Sequence, residues 1–262
     1  MEFGALAPTL FCGQCFRWEK LPDGTYEGMA KDRYAHLTPE TLPGLLEDGF
    51  WAEYFDAGLD YGRIREGFCR LDPALAEAVR FAPEIRVLKQ DPWEALCTFL
   101  LSQCNNIARI RGMVRRLCET YGAEAEGGRR AFPRPEALAG VREEDLRVLG
   151  FGYRAPYVLD AARRVLAGGI DFGRLRVLPL DEAREELRRV EGVGPKVADC
   201  VLLYGLHRLE AFPMDVWMKR AMRGLFPGRE PSWFGPYAGI AQQYLFHYSR
   251  CHPELFRQSI KI

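Results

Sequence analysis

A short glycine-rich segment joins two helical patterns in the C-terminal third of the chain. It reads Glu191-Gly192-Val193-Gly194-Pro195, and the helical patterns cover residues 181–190 before it and 196–205 after it. Glycine tolerates the positive φ that a tight turn needs, and proline suits the first position of a helix. Backbone N–H groups in such a turn attract phosphate. The segment therefore predicts two helices joined by a hairpin, with Gly192 and Gly194 as candidate phosphate contacts.

The rest of the chain predicts a small sheet followed by helices. Short alternating stretches from Phe11 to Thr38, with a turn at Pro22-Asp23-Gly24, are typical of antiparallel strands. The period then becomes helical, and Asp91-Pro92-Trp93-Glu94 indicates an N-cap, a first-position proline and a capping-box glutamate. We predict an α+β fold, predominantly α-helical, with an N-terminal antiparallel sheet unit at 1–90 and a helical unit at 91–262.

Within the helical unit, apolar spacings of three and four residues and capping signals mark the individual helices. The first ends at Ser102 and is followed by a polar loop at 103–106. Further helices are predicted over 107–121, 135–149, 153–167 and the hairpin at about 181–205. Asp215 is expected to cap a helix that runs to about Gly224, and the last helix covers about 236–248.

The composition is that of a globular protein able to bury a large core, since 48% of its 262 residues are apolar. No stretch approaches the roughly 18 apolar residues of a membrane span. The first residues also lack the basic and apolar regions of a signal peptide. We therefore expect a cytoplasmic location and no membrane partner.

The eight cysteines are expected to stay reduced in that location, and most to act as small packing residues. Cys12 and Cys15 have the Cys-x-x-Cys spacing of redox motifs and of half a zinc site. No strand-turn-helix context follows them, and no second pair completes a zinc site. Packing is therefore the favoured interpretation of this pair.

The net charge of zero disfavours a nucleic-acid partner, but the charge is unevenly distributed. Residues 1–60 contain four Lys/Arg and eleven Asp/Glu, whereas the remaining chain contains 32 and 25. Residues 196–229 alone have six basic and three acidic residues. The charge pattern leaves both a solvated surface and a nucleic-acid contact open.

Lys196 and Asp215 are the candidate catalytic residues. Lys196 lies at the start of the second hairpin helix, where the partial positive charge of the helix favours the neutral amine that acts as a nucleophile. A carboxylate such as Asp215 stabilises positive charge that develops in a transition state. Taken singly, each residue is more often a surface lysine or a helix-capping aspartate. Their combination with the hairpin favours the chemical interpretation.

The hairpin, Lys196 and Asp215 together resemble the helix-hairpin-helix DNA glycosylases. From about Cys12 to Phe246 the chain is similar to the 8-oxoguanine DNA glycosylases that also have abasic-site lyase activity. The resemblance implies excision of 8-oxoguanine opposite cytosine from duplex DNA through a Schiff base on Lys196. The sequence leaves the oligomeric state open, but we expect a monomer associated with the nucleoid, since one chain suffices to wrap a duplex. The resemblance implies no required cofactor. An iron–sulfur cluster is excluded, because Cys251 is the only cysteine after Asp215.

The resemblance also implies a pocket for the damaged base. Gly13, in Gly13-Gln14-Cys15-Phe16-Arg17-Trp18, would present its carbonyl to the N7–H of 8-oxoguanine, a donor that guanine lacks. Cys200 and Phe246 would sandwich the base, and Gln242 would read its Watson–Crick edge. Simple core packing remains an alternative for Phe246.

Contacts to the duplex are implied for two segments. Asn105, Asn106 and Arg109 match the loop that fills the gap left by the everted base. Arg109 and Arg154 would donate to the orphaned cytosine, and Tyr153 would wedge into the stack. A solvent-facing helix position is the alternative for either arginine.

Three further implications concern the hairpin and two departures from the family pattern. A monovalent cation would be bound by the main-chain carbonyls of Arg188, Val190 and Val193. Cys104 stands where the family usually has an asparagine beside the cytosine, which is expected to relax the opposite-base requirement. Trp217 stands where a phosphate-binding histidine is common, which is expected to weaken that contact or replace it by packing.

Two alternative functions remain open. The same scaffold acts on other damaged bases, although enzymes for oxidised pyrimidines usually contain an iron–sulfur cluster and those for alkylated purines usually lack the lysine. A non-catalytic DNA-binding module is the alternative from another class, because hairpins of this kind often serve only to hold phosphates. Lys196 discriminates, since a binding module has no need of it.

Overall fold

The structure is a computed structural model that describes residues 6–255. Its sheet consists of β1 (Trp18–Lys20), β2 (Tyr26–Ala30) and β3 (Arg33–Leu37). The helices are α1 (Leu6–Phe11), α2 (Thr41–Glu47), α3 (Gly49–Tyr54), α4 (Tyr61–Leu71), α5 (Pro73–Phe81), α6 (Pro92–Leu101), α7 (Ile107–Tyr121), α8 (Pro135–Leu138), α9 (Glu143–Val148), α10 (Ala155–Leu166), α11 (Phe172–Val177), α12 (Leu180–Leu187), α13 (Pro195–Cys200), α14 (Val216–Leu225) and α15 (Ala238–Cys251). Short 3-10 turns lie at Glu126–Gly128, Gly152–Arg154 and Pro231–Tyr237, and Val201–Gly205 continues α13 as a π-helix.

The N-terminal sheet is antiparallel with the strand order β1-β2-β3, which confirms the predicted fold class. Trp18 pairs with Gly28, where a side chain would collide with the indole ring, since a Cβ would lie 2.4 Å from it. The Trp18 Nε1 donates to the Tyr54 hydroxyl at 2.9 Å and so attaches β1 to α3. The strand-like region is predicted to begin at Phe11, but Phe11 is the last residue of α1. The first strand begins at Trp18.

Helix α6 is the centre of the main core, and every residue from Trp93 to Leu101 is buried. A helix that is apolar on all sides is stable only when other elements surround it. Asp91 caps it as predicted, since Oδ1 accepts from the Trp93 and Glu94 amides at 3.0 Å. The capping-box role predicted for Glu94 is wrong. Its buried carboxylate instead pairs with Arg17 at 3.1 Å, which joins α6 to residues 13–17, the Gly13 segment.

The main core also includes helices from the first third of the chain. Helices α4 and α5 pack together, and α5 packs against α15 near the C-terminus. Tyr244 on α15 donates to the Pro83 carbonyl at 3.1 Å. The N-terminal sheet with α1 to α3 therefore has a small core of its own, whereas α4 and α5 share the core of the helices that follow.

The predicted helices are found with adjusted bounds. The helix predicted over 135–149 is two short helices, α8 and α9, separated by residues 139–142 around Gly140. The second hairpin helix has the predicted length only when its π-helical part is included. Among residues 6–255, no helix is long and apolar enough to cross a membrane.

Candidate active site

The hairpin between α12 and α13 has the predicted turn, but its two glycines serve different purposes. Gly192 has φ +81°, and a Cβ there would lie 2.5 Å from the Tyr157 ring, so both conformation and space require glycine. Gly194 is the N-cap of α13 with φ −89°, and a Cβ there would meet nothing within 4 Å. Arg184 and Asp199 join the two helices through a 2.7 Å ion pair.

The Lys196 side chain extends from the first turn of α13 toward the end of α6. Its Nζ donates to the Ser102 Oγ at 2.9 Å and lies 5.2 Å from the centre of the Phe99 ring. The Ser102 hydroxyl in turn donates to the Phe99 carbonyl at 2.7 Å. The described part of the chain places no carboxylate within 4.0 Å of the amine. Lys196 is thus half-buried and held by a neutral hydroxyl.

Asp215 is the N-cap of α14, as predicted, and its Oδ1 accepts from the Met218 amide at 2.8 Å. The charges of Asp215 and Lys196 both act on the Cys200 thiol. Burial raises the pKa of Cys200 to about 12, the charge of Lys196 lowers this pKa, and the charge of Asp215 raises it. The Cys200 sulfur therefore remains a neutral thiol at physiological pH.

The residues assigned to the damaged base come from distant parts of the chain. Gly13 has φ +94°, and a Cβ there would lie 3.0 Å from Ile107 Cδ1 and 3.7 Å from Phe246 Cε1. The Gly13 segment, the start of α7 and the middle of α15 therefore meet. Gln242 is 3% exposed, its Nε2 donates to the Pro213 carbonyl at 3.2 Å, and it accepts from Tyr204. It is attached to the segment that leads into Asp215.

The predicted DNA loop follows α6. Asn105 Nδ2 donates to the Leu101 carbonyl at 2.9 Å, and Asn106 caps α7 by accepting from the Arg109 amide. The Arg109 side chain is exposed, and no hydrogen bond or ion pair within residues 6–255 occupies its guanidinium. Cys104 is exposed with φ +46°, a left-handed conformation that is uncommon for a residue with a side chain.

Arg154 occupies a different environment from Arg109. It is 3% exposed and donates to the Gln103 carbonyl at 2.9 Å through Nε and to the Cys104 carbonyl at 3.1 Å. Tyr153 is 50% exposed beside it, with the guanidinium 4.3 Å from the ring centre. Arg154 must exchange these carbonyls to reach an unpaired base, whereas Tyr153 and Arg109 are already accessible.

The predicted cation ligands lie around the hairpin turn. The Val190 carbonyl accepts from the Val193 amide at 3.0 Å, which leaves it one further lone pair. Arg188 is the C-cap of α12 and Val193 immediately precedes the N-cap of α13. Within residues 6–255, no group of three or more His, Cys, Asp or Glu side chains could hold a metal ion.

Cys12 and Cys15 are free and buried. Burial raises the pKa of Cys12 to about 12 and raises that of Cys15 further. Thiols of this kind are protonated at neutral pH and are therefore unreactive. The structure therefore supports the packing interpretation of the Cys-x-x-Cys pair.

Two residues of the site have no signal in the sequence that identifies them. One is Ser102, which in the sequence is only the first polar residue after an apolar run. The other is Gln14, whose buried amide donates to the carbonyls of Thr9 at 2.8 Å and Arg86 at 2.7 Å and accepts from the Leu88 amide at 2.9 Å. Gln14 therefore fixes the backbone that carries Gly13.

The fold and the site define a helix-hairpin-helix protein in which a half-buried lysine lies in the first turn of the second hairpin helix and an aspartate caps a later helix. Residues 97–232 match the model of the HhH-GPD superfamily base excision DNA repair proteins, and residues 4–48 and 45–96 match the N-terminal domain of 8-oxoguanine DNA glycosylase. The chain belongs to this superfamily, in its 8-oxoguanine DNA glycosylase branch, which confirms the resemblance found in the sequence.

Individual relatives agree with this placement. An N-glycosylase/DNA lyase of Arabidopsis thaliana is 32% identical, with 89% of this chain and 74% of that protein covered. The 8-oxoguanine glycosylase/lyase of Clostridium acetobutylicum, solved with double-stranded DNA that contains cytosine opposite 8-oxoguanine, superposes with a TM-score of 0.84. It is 34% identical, over 95% of this chain and 92% of that one. A probable N-glycosylase/DNA lyase of Methanothermobacter thermautotrophicus is 36% identical, but the match spans only 62% of its length.

Proposed function

We propose that the chain is a DNA glycosylase and abasic-site lyase that excises 8-oxoguanine from duplex DNA in base excision repair. The observation that carries the proposal is the placement of Lys196. Its half-buried amine extends from the first turn of the second hairpin helix, is held by the neutral Ser102 hydroxyl at 2.9 Å, and acts electrostatically on the same Cys200 thiol as Asp215. The names of the plant and clostridial relatives support the same activity.

The reaction uses the amine of Lys196 as the nucleophile. Its neutral Nζ attacks C1′ of the everted nucleotide, and the glycosidic bond breaks with its electron pair leaving on the base, which takes up a proton. Asp215 stabilises the positive charge that develops on the sugar. Opening of the sugar ring moves a proton from the lysine nitrogen to O4′ and leaves an imine. Loss of a C2′ proton then expels the 3′ phosphate, and water releases the lysine.

Recognition of the base depends on the Gly13 carbonyl. The N7–H of 8-oxoguanine donates to this acceptor, whereas the N7 lone pair of guanine is repelled by it. Cys200 and Phe246 enclose the base and Gln242 reads its Watson–Crick edge. The approach of Gly13 to Phe246 supports this assignment, since the two residues are 233 positions apart in the chain and close in space.

Eversion of the base costs a few kcal/mol in lost stacking, which the loop after α6 offsets. Asn105 and Asn106 fill the gap, Tyr153 wedges into the stack, and Arg109 and Arg154 donate to the opposite cytosine. The exposure of Arg109 and Tyr153 supports this role. Because Cys104 offers no amide to the cytosine, we expect a weaker preference for cytosine than an asparagine would give.

The hairpin binds a phosphate of the damaged strand through the backbone N–H groups at Gly192 and Gly194. A monovalent cation bound by the carbonyls of Arg188, Val190 and Val193 would supply positive charge at the same place. The protein acts as a monomer on double-stranded DNA.

Borohydride trapping tests the amine mechanism. The wild-type protein should be trapped on an 8-oxoguanine duplex as a covalent adduct, and Lys196→Gln should abolish the adduct. The exposed residue Lys20 offers a matched control, and Lys20→Gln should leave trapping unchanged. A wild-type protein that cuts the duplex without ever being trapped would exclude the Schiff base.

A panel of duplexes that varies the lesion and the opposing base tests specificity. We expect fast excision of 8-oxoguanine opposite cytosine and far slower excision of guanine. Equal rates for the two bases would reject the role of the Gly13 carbonyl. A protein that binds the duplexes without cutting any of them would instead be a DNA-binding module.

A further inference from the structure

Helix α14 carries basic side chains on the side that faces away from the core. Its buried residues are Met218, Ala221 and Met222, which pack toward the core. Because a helix turns once every 3.6 residues, the opposite side of α14 carries Lys219, Arg220 and Arg223. We call these three residues the basic face.

The basic face is poor in carboxylates, and Asp215 at the start of α14 is the acidic residue nearest to it in sequence. Between Val216 and Arg229 the sequence contains no Asp or Glu. Within the described residues, no ion pair includes any of its three cations, whereas other surface arginines are paired, as Arg164 is with Asp160 at 2.7 Å. Unpaired charges of one sign on a helix repel each other, and a polyanion that binds them removes this repulsion.

One cation of the basic face is held in position by an aromatic ring. The Arg220 guanidinium lies 5.4 Å from the centre of the Trp217 ring. A guanidinium stacked on a ring keeps its N–H donors directed outward and loses little freedom when it binds phosphate.

The position of the face points to one partner. Asp215 begins the same helix, so the three cations lie about 6–12 Å along the helix axis from the carboxylate that must face the everted sugar. A carboxylate there repels the adjoining phosphates, and cations at this distance offset the repulsion. We infer that Lys219, Arg220 and Arg223 bind phosphodiester groups of the duplex next to the everted nucleotide, with Trp217 positioning Arg220. This inference rests on the proposed function.

The salt dependence of binding tests the inference, because each phosphate contact contributes about 0.9 to the slope of log K against log salt on duplex DNA. Binding of a labelled duplex with 8-oxoguanine opposite cytosine would be measured in a Lys196→Gln background, where no turnover occurs. The triple substitution Lys219→Gln, Arg220→Gln, Arg223→Gln should reduce the slope by roughly two to three.

A matched control variant removes three positive charges from surface positions outside the basic face. Arg63, Arg80 and Arg134 are exposed, and within residues 6–255 no carboxylate pairs with them. Their replacement by glutamine should reduce the slope by less than about one. An unchanged slope in the basic-face variant, or an equal loss in the control, would overturn the inference. If the protein with Lys196 intact cuts the duplex in either case, the proposed function stands and only the basic face is rejected.

The role of Trp217 has its own test in a double-mutant cycle. Trp217→Leu keeps every cation but removes the ring, so we expect duplex affinity to fall severalfold. If the ring acts through Arg220, then Arg220→Gln should add little to this loss. Fully additive effects would show that Trp217 does not position Arg220.

Discussion

The amine of Lys196 is hydrogen-bonded to the hydroxyl of Ser102, which lies at the end of a different helix. The two atoms are 2.9 Å apart, and the hydroxyl gives its own hydrogen to the Phe99 carbonyl at 2.7 Å. A hydroxyl so engaged presents a lone pair, and Ser102 therefore acts as the acceptor. It fixes the direction of the lysine before any DNA binds.

Ser102→Ala should slow formation of the Schiff base by roughly tenfold to a hundredfold, because a nucleophile that is free to rotate spends less time aligned for attack. Ser102→Thr keeps the hydroxyl and should restore most of the rate. The measurement is single-turnover trapping with borohydride at saturating protein.

The control for this substitution is Ser249, which donates to the Leu245 carbonyl at 2.7 Å and is fully buried. Ser249→Ala removes the same kind of bond without touching Lys196 and should leave the trapping rate near that of the wild type. A Ser102→Ala protein with the full rate would show that Lys196 needs no positioning by this hydroxyl.

The two hairpin glycines should respond differently to alanine. Gly192→Ala places a Cβ 2.5 Å from the Tyr157 ring at a φ of +81°, and we expect a loss of about 2–4 kcal/mol in the free energy of unfolding. Gly194→Ala meets nothing within 4 Å and should lose less than about 1 kcal/mol. Urea unfolding of both variants measures the difference, and equal losses would contradict the steric argument.

The hairpin and the Asp215 cap are predictable from sequence because their signals are local. Glycine and proline define the turn, and a carboxylate directly before a helical pattern defines the cap. The same applies to α7, whose apolar spacing sets its bounds at 107–121 without reference to the rest of the chain.

Contacts between distant residues are not predictable in this way. Ser102 becomes part of the site because it accepts a hydrogen bond from Lys196, 94 positions later. The buried Arg154 donates to the carbonyl of Gln103, 51 positions earlier. The capping-box role predicted for Glu94 is wrong for the same reason, because Arg17, 77 positions away, donates a hydrogen bond to the Glu94 carboxylate. Local patterns specify which helix forms, and tertiary packing decides what each polar side chain binds.

A buried carboxylate outside the site should make stability depend on pH. Asp56 lies 3.2 Å from the Lys89 amine and 3.1 Å from His207 Nε2. It therefore joins the end of α3 to the second residue after the π-helix. Burial alone would raise the pKa of Asp56, but His207 and Lys89 lower it below its usual value. An acid whose pKa is lowered by folding stabilises the protein above its unfolded pKa, and this contribution is lost as the pH falls through the folded pKa.

Asp56→Asn should therefore lower the free energy of unfolding by about 1–3 kcal/mol at pH 7. The difference between the wild type and the variant should shrink as the pH falls below about 4, where the carboxyl becomes protonated in the unfolded chain. Urea unfolding at a series of pH values measures this difference in the free energy of unfolding. A difference that stays constant down to pH 3 would show that the charge of Asp56 contributes nothing.

The last prediction concerns Gln14, which is fully buried and holds the Gly13 backbone through side-chain hydrogen bonds to three backbone groups. Gln14→Leu keeps the volume but leaves the Leu88 amide and the Arg86 carbonyl without partners and takes one donor from the Thr9 carbonyl, which keeps the Cys12 thiol. The free energy of unfolding should therefore fall by about 3 kcal/mol. The freed segment should also misplace the Gly13 carbonyl and reduce the ratio of 8-oxoguanine to guanine excision rates. Thr9 provides the control, because its hydroxyl bonds the Glu84 carbonyl and the Arg86 amide, both at 3.1 Å, on the same neighbouring segment. Thr9→Val should lose stability but keep the excision ratio, and a ratio that falls equally in both variants would assign the effect to general destabilisation.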